Sequence, residues 1–275
     1  MILRGKQILI TGGSSGIGKA IAAQLLSREN AVTIVGHDAH SVETALNELR
    51  PLGAPVGGHV ADIGDRDAVG RLAAEVLREG VPDVLLNNAG FGVYRTFEAS
   101  SADEIDRLLA VNFTGHVALT KLLLAPMIAR RSGAIGFMAS IAGRLPITPN
   151  ATYCAAKHGM LGLAAALRHE LRRFGISVTA ICPGRVETPF FAHPTFVERT
   201  RGPETRTSVP VTRVAAETIR ALESGQAVCY IPRSLGLAAW LYEAAPVVMN
   251  PLFDRILQKR IERLYADSER LDAAP

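Results

Sequence analysis

Two hydrophobic periods alternate along the chain. Short runs such as residues 8–10 and 84–86 are continuously apolar, and longer stretches follow in which apolar positions recur every three to four residues. The short runs predict strands buried on both faces, and the longer stretches predict amphipathic helices. The predicted strands cover residues 7–11, 31–36, 56–60, 83–87, 134–139, 177–182 and 227–231.

Strands and helices therefore alternate, which predicts an α/β fold with a parallel sheet of about seven strands between two helical layers. Residues 189–210 form the longest stretch without a clear period, so we expect a mobile loop there. We assign residues 1–233 to one domain and residues 234–275 to a helical extension packed on it. The predicted helices cover residues 16–28, 41–50, 66–79, 101–111, 115–131, 151–174 and 213–224.

Composition and charge narrow the classes of partner. The 275 residues carry a net charge of +4 at pH 7, and the charges are scattered. Anionic cofactors or substrates fit this balance, whereas nucleic-acid binding needs a basic stripe that we do not find. Three separated cysteines (Cys154, Cys182 and Cys229) and an N-terminus without a signal-peptide pattern predict a reducing, cytoplasmic location. The seven histidines are dispersed, so no metal site is expected.

Tyr153 and Lys157 lie four positions apart in a stretch without a helix breaker. A helix places both side chains on one face. A phenol with a pKa near ~10 is a poor acid or base at neutral pH, and a fixed cation favours its ionised form. The pair also arises by chance on surface helices, so its meaning depends on the rest of the sequence.

A glycine-rich segment follows the first predicted strand and opens the first predicted helix. Its residues are Thr11-Gly12-Gly13-Ser14-Ser15-Gly16-Ile17-Gly18. Such a loop lets a phosphate approach the backbone N–H groups at the positive end of a helix. Its glycine spacing is wider than that of the common G-x-G-x-x-G pattern, so by itself it is also compatible with an ordinary turn.

Several motifs in series resemble the short-chain dehydrogenase/reductase family in its single-domain form. The resemblance covers about residues 5–231 and implies a three-layer, Rossmann-type, doubly wound sheet. The motifs are the segment Thr11 to Gly18, Asp62, Asn87-Asn88-Ala89-Gly90, Asn112, Ser140, Tyr153 with Lys157, and Pro183-Gly184-Arg185-Val186-Glu187-Thr188.

The resemblance assigns four side chains to catalysis. Tyr153 is the general acid/base, and Ser140 orients the substrate oxygen. Lys157 binds the nicotinamide ribose and lowers the tyrosine pKa, assisted by the positive charge of oxidised nicotinamide. Asn112 kinks its helix and holds a water that links Lys157 to solvent.

The same resemblance supplies a nucleotide site at the carboxyl ends of the strands. The first loop meets the pyrophosphate and ribose, the third strand end meets the adenine, and the last motif meets the nicotinamide. Besides Tyr153 and Lys157, the residues are Gly12, Ser14, Ser15, Gly16, Ile17, Gly18, His37, Asp62, Ile63, Asn88, Ala89, Gly90, Pro183, Gly184, Val186 and Thr188.

The end of the second strand favours NADP over NAD. An acidic residue there would bind the 2′-hydroxyl of NAD and repel the 2′-phosphate of NADP. Gly36 stands at the matching position, and His37 follows where many NADP-preferring relatives have arginine. Asp38 could turn inward against the phosphate, and Ser15 offers no second cation, so NAD stays open.

An apolar pocket is expected around the substrate, although simple loop packing explains the same residues equally well. The candidates are Gly92, Val93, Tyr94, Ala142, Leu145, Ile147, Phe190, Phe191 and Phe196. The extension departs from the common family pattern because residues 235–253 are strongly apolar. It is expected to cover the active-site mouth or a partner subunit, with contact at a membrane surface as the alternative.

The sequence thus predicts an NAD(P)-dependent oxidoreductase, NADPH-linked, that interconverts a carbonyl and a secondary alcohol on an apolar or lipid-like small molecule. A 3-oxoacyl-carrier-protein reductase and a non-catalytic dinucleotide-binding sensor are the alternatives. The resemblance also implies a homo-oligomer formed through the helices at 115–131 and 151–174. The substrate, reaction direction and oligomeric state are not determined by these motifs.

Overall fold

A seven-stranded parallel sheet forms the centre of the molecule. The structure, a computed structural model, describes residues 1–192, 195 and 208–272. The strand order is β3-β2-β1-β4-β5-β6-β7, which confirms the predicted doubly wound α/β class. The strands are β1 (Gln7–Thr11), β2 (Ala31–Gly36), β3 (Val56–Val60), β4 (Val84–Asn87), β5 (Gly133–Met138), β6 (Ile176–Pro183) and β7 (Val228–Ile231).

The helices lie close to their predicted positions, with shifts of up to three residues at their ends. Helix α2 begins two residues early because Asp38 caps it, accepting a hydrogen bond from Ser41 N at 2.7 Å. The helices are α1 (Gly16–Leu26), α2 (Ala39–Leu49), α3 (Arg66–Glu79), α4 (Ala102–Leu109), α5 (Gly115–Arg130), α6 (Ala151–Leu171), α7 (Val211–Ser224), α8 (Ser234–Ala244) and α9 (Pro246–Asp272).

The sheet separates two apolar cores. Alternate strand residues face opposite sides, so Ile8 and Ile10 pack with α1, α2 and α7, while Leu9 packs with α3, α5 and α6. Each fully buried leucine or isoleucine stabilises the fold by roughly 1.5–3 kcal/mol. Burial on both faces explains why the strands are continuously apolar.

Helices α4 and α5 are joined by a π-helical turn at Ala110–Thr114 into one helix, Ala102–Arg130. By length and composition alone, this 29-residue helix is apolar enough to cross a membrane. In the folded chain Leu119, Leu123 and Met127 are fully buried in the core beneath the sheet. We therefore assign it to the domain core.

The extension forms two helices that contact the rest of the molecule through α8. Arg144 and Glu243 form an ion pair at 2.9 Å, and Gly236 lies directly against the Tyr230 ring at the sheet edge. Helix α9 packs on α8, with the Tyr242 and Phe253 ring centroids 4.9 Å apart.

Candidate active site

The sequence-predicted site residues meet at one edge of the sheet. Because all strands are parallel, the segments that follow β1, β4, β5 and β6 share this edge. The strand order reverses between β1 and β4, where a crevice opens at the carboxyl ends of open α/β sheets. The glycine loop, the Asn88–Gly90 turn, Ser140 and the Pro183–Thr188 segment all end or follow strands at this edge.

Helix α6 brings Tyr153 and Lys157 to Ser140 at the end of β5. The Tyr153 and Ser140 side chains share a hydrogen bond. Lys157 is only 3% exposed, and its Nζ donates to Met138 O at 3.0 Å. The same Nζ lies 5.4 Å from the centroid of the Tyr153 ring. The structure therefore brings together three of the four side chains that the resemblance assigned to catalysis.

Burial controls the ionisation of this cluster. It raises the pKa of Tyr153 well above the ordinary phenol value, and the hydrogen bond with Ser140 opposes this only in part. Burial also lowers the pKa of Lys157 to about 8. The expected depression of the tyrosine pKa by Lys157 is not found among the protein groups. Lowering the pKa of Tyr153 therefore requires a further positive charge beside the phenol, and the resemblance assigns this charge to oxidised nicotinamide.

Asn112 lies in the π-helical turn and faces the same cluster. Its Nδ2 donates to Phe91 O at 2.9 Å and to Leu108 O at 3.1 Å. Its Oδ1 is buried without a partner among the described residues. A methyl group in place of the Gly90 hydrogen would lie 2.6 Å from this oxygen and 3.6 Å from Lys157 Nζ. The two polar groups thus flank Gly90, and the water relay between them stays a prediction.

His116 is a member of the site that sequence reasoning missed. It lies one turn after Asn112 and is 1% exposed, with Nε2 2.8 Å from Ala89 O. Since a carbonyl oxygen only accepts, Nε2 carries the proton, and Nδ1 is buried without a partner among the described residues. Burial and the charge of Lys157 lower the pKa of His116 to about 4. The sequence offered one signal for His116, namely its position four residues after Asn112, on the same side of a helix.

The glycine loop is tied to the end of β4. Thr11 Oγ1 accepts hydrogen bonds from Asn88 N at 2.9 Å and Ala89 N at 3.1 Å. Gly12 has φ +63°, and any side chain there would strike Ala89. Gly18 lies so close to Gly12 O that it also excludes a side chain. These contacts hold the loop against the crevice.

The start of α1 fits a phosphate group. The Ser15 N-cap makes no side-chain capping bond, and the first turn contains no acidic residue. The first N–H groups of this 11-residue helix are therefore not used by a cap, and the helix dipole favours an anion. Ser14 and Ile17 flank this position and are partly buried.

The end of β2 fits a 2′-phosphate. A side chain at Gly36 would lie 2.7 Å from Val42 Cγ2 and 2.8 Å from Ser14 Oγ, so an acid there has no room. Asp38 accepts from Ser41 N at 2.7 Å and from Ser41 Oγ at 2.6 Å, which holds the pKa of its carboxyl below the usual value. His37 is exposed. The carboxylate that could oppose NADP is thus used as a helix cap.

The residues after β3 are partly engaged within the protein. Asp62 pairs with Arg107 at 2.8 Å and accepts from Gly64 N at 2.8 Å. Burial alone would raise the pKa of Asp62, but these contacts outweigh it and lower the pKa. The Ile63 side chain is 4% exposed and belongs to the core, so any contact with a nucleotide falls to its backbone.

The last motif curves back towards the first loop. Val186 is buried and forms a bridge with Val209, while Thr188 lies beside Gly16. Gly184 donates from its N to Ile231 O at 2.9 Å and contacts Leu235 of the extension. Pro183 is the buried last residue of β6. These residues surround the crevice on the side away from β2.

Aromatic rings cover the tyrosine. The Phe190 ring meets the Tyr153 ring edge-on, with centroids 5.7 Å apart, and Phe190 packs with Phe191 and Tyr94. Val93, Ala142 and Leu145 are buried, Gly92 is buried beside them, and Ile147 is half-buried. Phe196 and much of the expected loop lie outside the described residues. Within the described residues no group of histidine, cysteine or acidic side chains is arranged to hold a metal.

This fold, with a glycine-rich loop and the Tyr153, Ser140 and Lys157 cluster at one sheet edge, is typical of the dinucleotide-binding oxidoreductases. Residues 6–195 match the family model of the short chain dehydrogenases. The chain belongs to the short-chain dehydrogenase/reductase family.

Individual relatives agree with this assignment. The protein described as dehydrogenase/reductase SDR family protein 7-like of Anopheles gambiae is 36% identical to this chain, over 68% of this chain and 61% of that protein. A 3-dehydrosphinganine reductase of Danio rerio is 33% identical, over 69% of this chain and 59% of that protein. The chain thus spans less than two thirds of the length of either relative.

A solved structure also resembles the chain. The crystal structure of a variant actinorhodin polyketide ketoreductase with NADPH has a TM-score of 0.76 at 29% identity. The alignment covers 84% of this chain and 97% of that chain.

Proposed function

We propose that the protein is an NADPH-linked oxidoreductase that interconverts a ketone and a secondary alcohol on an apolar, lipid-like molecule. The observation that carries the proposal is the meeting of Tyr153, Ser140 and Lys157 at the sheet edge beside the glycine loop. A sensor needs no acid/base group in that position, so the cluster favours catalysis over the non-catalytic alternative.

The chemistry divides between the bound cofactor and this chain. NADPH, when bound, supplies the hydride that goes to the carbonyl carbon. Tyr153 gives its phenolic proton to the carbonyl oxygen, which completes the alcohol, and Ser140 orients that oxygen. Lys157 binds the ribose and, with a water held by Asn112, returns a proton to the phenolate. In the oxidative direction each transfer runs in reverse.

The cofactor site uses the segments already described. Residues Gly12 to Gly18 hold the pyrophosphate, His37 faces the 2′-phosphate, and Asp62 with Ile63 borders the adenine. Asn88 to Gly90 lies along the adenosine ribose, and Pro183, Gly184, Val186 and Thr188 surround the nicotinamide. Support comes from the uncapped start of α1 and from the crowding at Gly36, and the ketoreductase of similar structure is known with NADPH.

The substrate class follows from the side chains around Tyr153. Phe190, Phe191 and Tyr94 give an apolar, aromatic wall, which suits a hydrocarbon chain or ring beside the reacting carbonyl. Two relatives are by name a 3-dehydrosphinganine reductase and a polyketide ketoreductase. The latter keeps a 3-oxoacyl thioester as the second candidate, and comparing free ketones with 3-oxoacyl thioesters separates the two.

The decisive test is Tyr153→Phe. Removing the proton donor should lower kcat for ketone reduction by about 10²–10⁴-fold. NADPH binding, measured by quenching of protein fluorescence or by calorimetry, should change little because the aromatic ring of residue 153 remains. Tyr242→Phe on the extension is the matched control and should keep full activity. Substantial turnover by the Tyr153→Phe variant would refute the assignment.

Cofactor choice gives a second test. We expect kcat/KM to be on the order of tenfold higher with NADPH than with NADH, because a charge-assisted contact to the phosphate contributes about 1.5 kcal/mol. His37→Arg should widen this ratio, since arginine is charged at every accessible pH. His169→Arg, exposed in the last turn of α6 and away from the end of β2, should leave the ratio unchanged. A clear NADH preference of the unaltered protein would overturn the choice.

We also infer a cytoplasmic, homo-oligomeric protein whose residues 1–233 form the catalytic domain and 234–275 the extension. The free state of all three cysteines, each in the described part of the chain, supports a reducing compartment. Family membership supports the oligomer. The absence of nucleic-acid partners rests on the scattered charge.

A further inference from the structure

Helices α8 and α9 carry seven large, exposed apolar side chains among the residues that the structure describes. These seven residues, here called the apolar face, are 39–88% exposed, far more than the core residues of the same types. Large exposed apolar patches on a folded surface mark docking sites. The apolar face comprises Leu237, Trp240, Leu241, Val247, Val248, Leu252 and Ile256.

Helical spacing places six of these residues, all but Val247, on one side of their own helix. Leu237, Trp240 and Leu241 follow the i, i+3, i+4 pattern of a single helix face, and Val248, Leu252 and Ile256 follow each other at four-residue intervals. The opposite side of each helix packs inward, where Ala239 is 2% exposed and Phe253 contacts Tyr242. The apolar face is therefore the outer surface of a packed helix pair.

The pair is held in a defined position on the domain. Arg144 pairs with Glu243 at 2.9 Å, and Leu235 contacts Gly184 at the nicotinamide end of the crevice. Arg144 also follows Ser140 by four residues. The apolar face is thereby attached to the sheet edge that carries the proposed active site.

Cations border the apolar face. Arg255 and Lys259 lie three residues after Leu252 and Ile256 and so share their side of α9, and Arg233 lies four residues before Leu237. Two exposed carboxylates also lie among the described side chains of α9, Glu262 on the side of Lys259 and Asp254 beside Arg255, so the cations outnumber them by three to two. All three cations are exposed, and none is paired with a carboxylate in the part of the chain that the structure describes.

We propose that the apolar face lies on an anionic lipid surface. Two copies meeting face to face would bring their cations together, whereas anionic headgroups attract each cation by about 1 kcal/mol. Helix α8 has 11 residues and is about 16 Å long, too short for a hydrocarbon core of about 30 Å. The longer α9 carries Asp254, Arg255, Lys259 and Glu262 along its length, which keeps it out of such a core. The helix pair therefore lies in the interface, with the tryptophan at headgroup depth. Docking does not depend on the proposed reaction.

Trp240 makes the test direct because it is the only tryptophan of the chain. The intact protein is mixed with vesicles of phosphatidylcholine alone or of phosphatidylcholine with phosphatidylglycerol. With the anionic vesicles we expect co-sedimentation and a shift of tryptophan emission to shorter wavelength, both weakened by salt. With the neutral vesicles both effects should be much smaller.

Two double variants separate the contributions. Arg255→Gln with Lys259→Gln should weaken binding to anionic vesicles roughly 30-fold, from two lost headgroup contacts. Val248→Ser with Leu252→Ser should weaken binding to a similar degree by removing apolar area. The controls are Arg66→Gln with Arg71→Gln on α3, and Val60→Ser, whose side chain is exposed at the far edge of the sheet. The controls should bind as the unaltered protein does.

Three outcomes would overturn the proposal. The first is no binding to anionic vesicles. The second is equal binding to both vesicle types, unaffected by the charge variants. The third is a concentration-dependent increase in molecular mass that Val248→Ser with Leu252→Ser abolishes in the absence of lipid, which would make the face an interface between copies. None of these readouts uses catalytic activity, so failure here and failure of the proposed reaction are distinguishable.

Discussion

At the scale of single residues, burial sets the charge state of the site. Lys157 and His116 are buried and Tyr153 is half-buried, and burial favours the neutral form of each. The sequence could indicate Tyr153 and Lys157, because their spacing and order match a family pattern. It could not indicate that His116 is buried against Ala89 O, because that contact joins residues 27 positions apart.

The neutral state of His116 predicts a stability change in mild acid. An unfolded imidazole titrates near ~6.5, whereas the folded one titrates at about 4. Above a pH of about 6.5 both states are neutral and the contribution is complete. As the pH falls from there towards 4, only the unfolded state takes up the proton, so stability decreases, by about 2 kcal/mol at pH 5.

His116→Gln should remove this part of the pH dependence, because glutamine can donate to Ala89 O but does not titrate. The free energy of unfolding, from urea denaturation at pH 7 and pH 5, measures the difference. Lys157, the charged neighbour, stays protonated in both states across this range and adds nothing. His158→Gln, on the exposed side of α6, is the control. An acid dependence identical in both variants and the unaltered protein would contradict the argument.

At the scale of elements, the local hydrophobic pattern was sufficient to predict the type and position of strands and helices but not their irregular geometry. Apolar runs placed all seven strands, and their ends agree with the structure to within one residue. The sequence predicted two helices around Asn112, whereas the structure joins them through a π-helical turn. That turn is stabilised by bonds from Asn112 to Phe91 O and Leu108 O, and the first of these is a tertiary contact that no local pattern reports.

The hydrogen-bond and ion-pair partners of side chains at the ends of elements could not be predicted from local sequence either. The sequence left open whether Asp38 turns towards the nucleotide or away from it. Its bonds to Ser41 place it at the start of α2, because an N-cap acceptor satisfies helix N–H groups that would otherwise be unpaired. The pairing of Asp62 with Arg107 is likewise a contact between distant segments.

At the scale of the whole molecule, the sequence predicted a parallel sheet, but the strand order comes from the structure. Alternation of strands and helices permits many orders, and the crossover that places β4 beside β1 depends on how complete layers pack. The extension shows a related limit, since its apolar run predicts burial but most of its outer face is exposed. An exposed apolar surface of this kind is explained by a binding partner outside the chain, which the sequence does not contain.

The predicted oligomer places a second surface on α5 and α6. Leu122 is 45% exposed on α5, and the outer side of α6 carries the small residues Ala155, Gly162 and Ala166. Small residues allow a helix of another copy to approach closely, and a side chain added at Gly162 would meet nothing within 4 Å. This surface lies on other helices than the apolar face.

Gly162→Arg should therefore convert the oligomer to a single chain of 29.3 kDa, as measured by light scattering after size exclusion. Arginine is a better helix former than glycine, so the isolated fold loses no stability from the change. Gly70→Arg on α3 is the matched control, since that position is equally open, and it should keep the assembled mass. Two results would count against this interface: an unaltered protein with the mass of one chain, or a Gly162→Arg variant that remains assembled. Vesicle binding by the dissociated variant should persist, because the apolar face belongs to each copy alone.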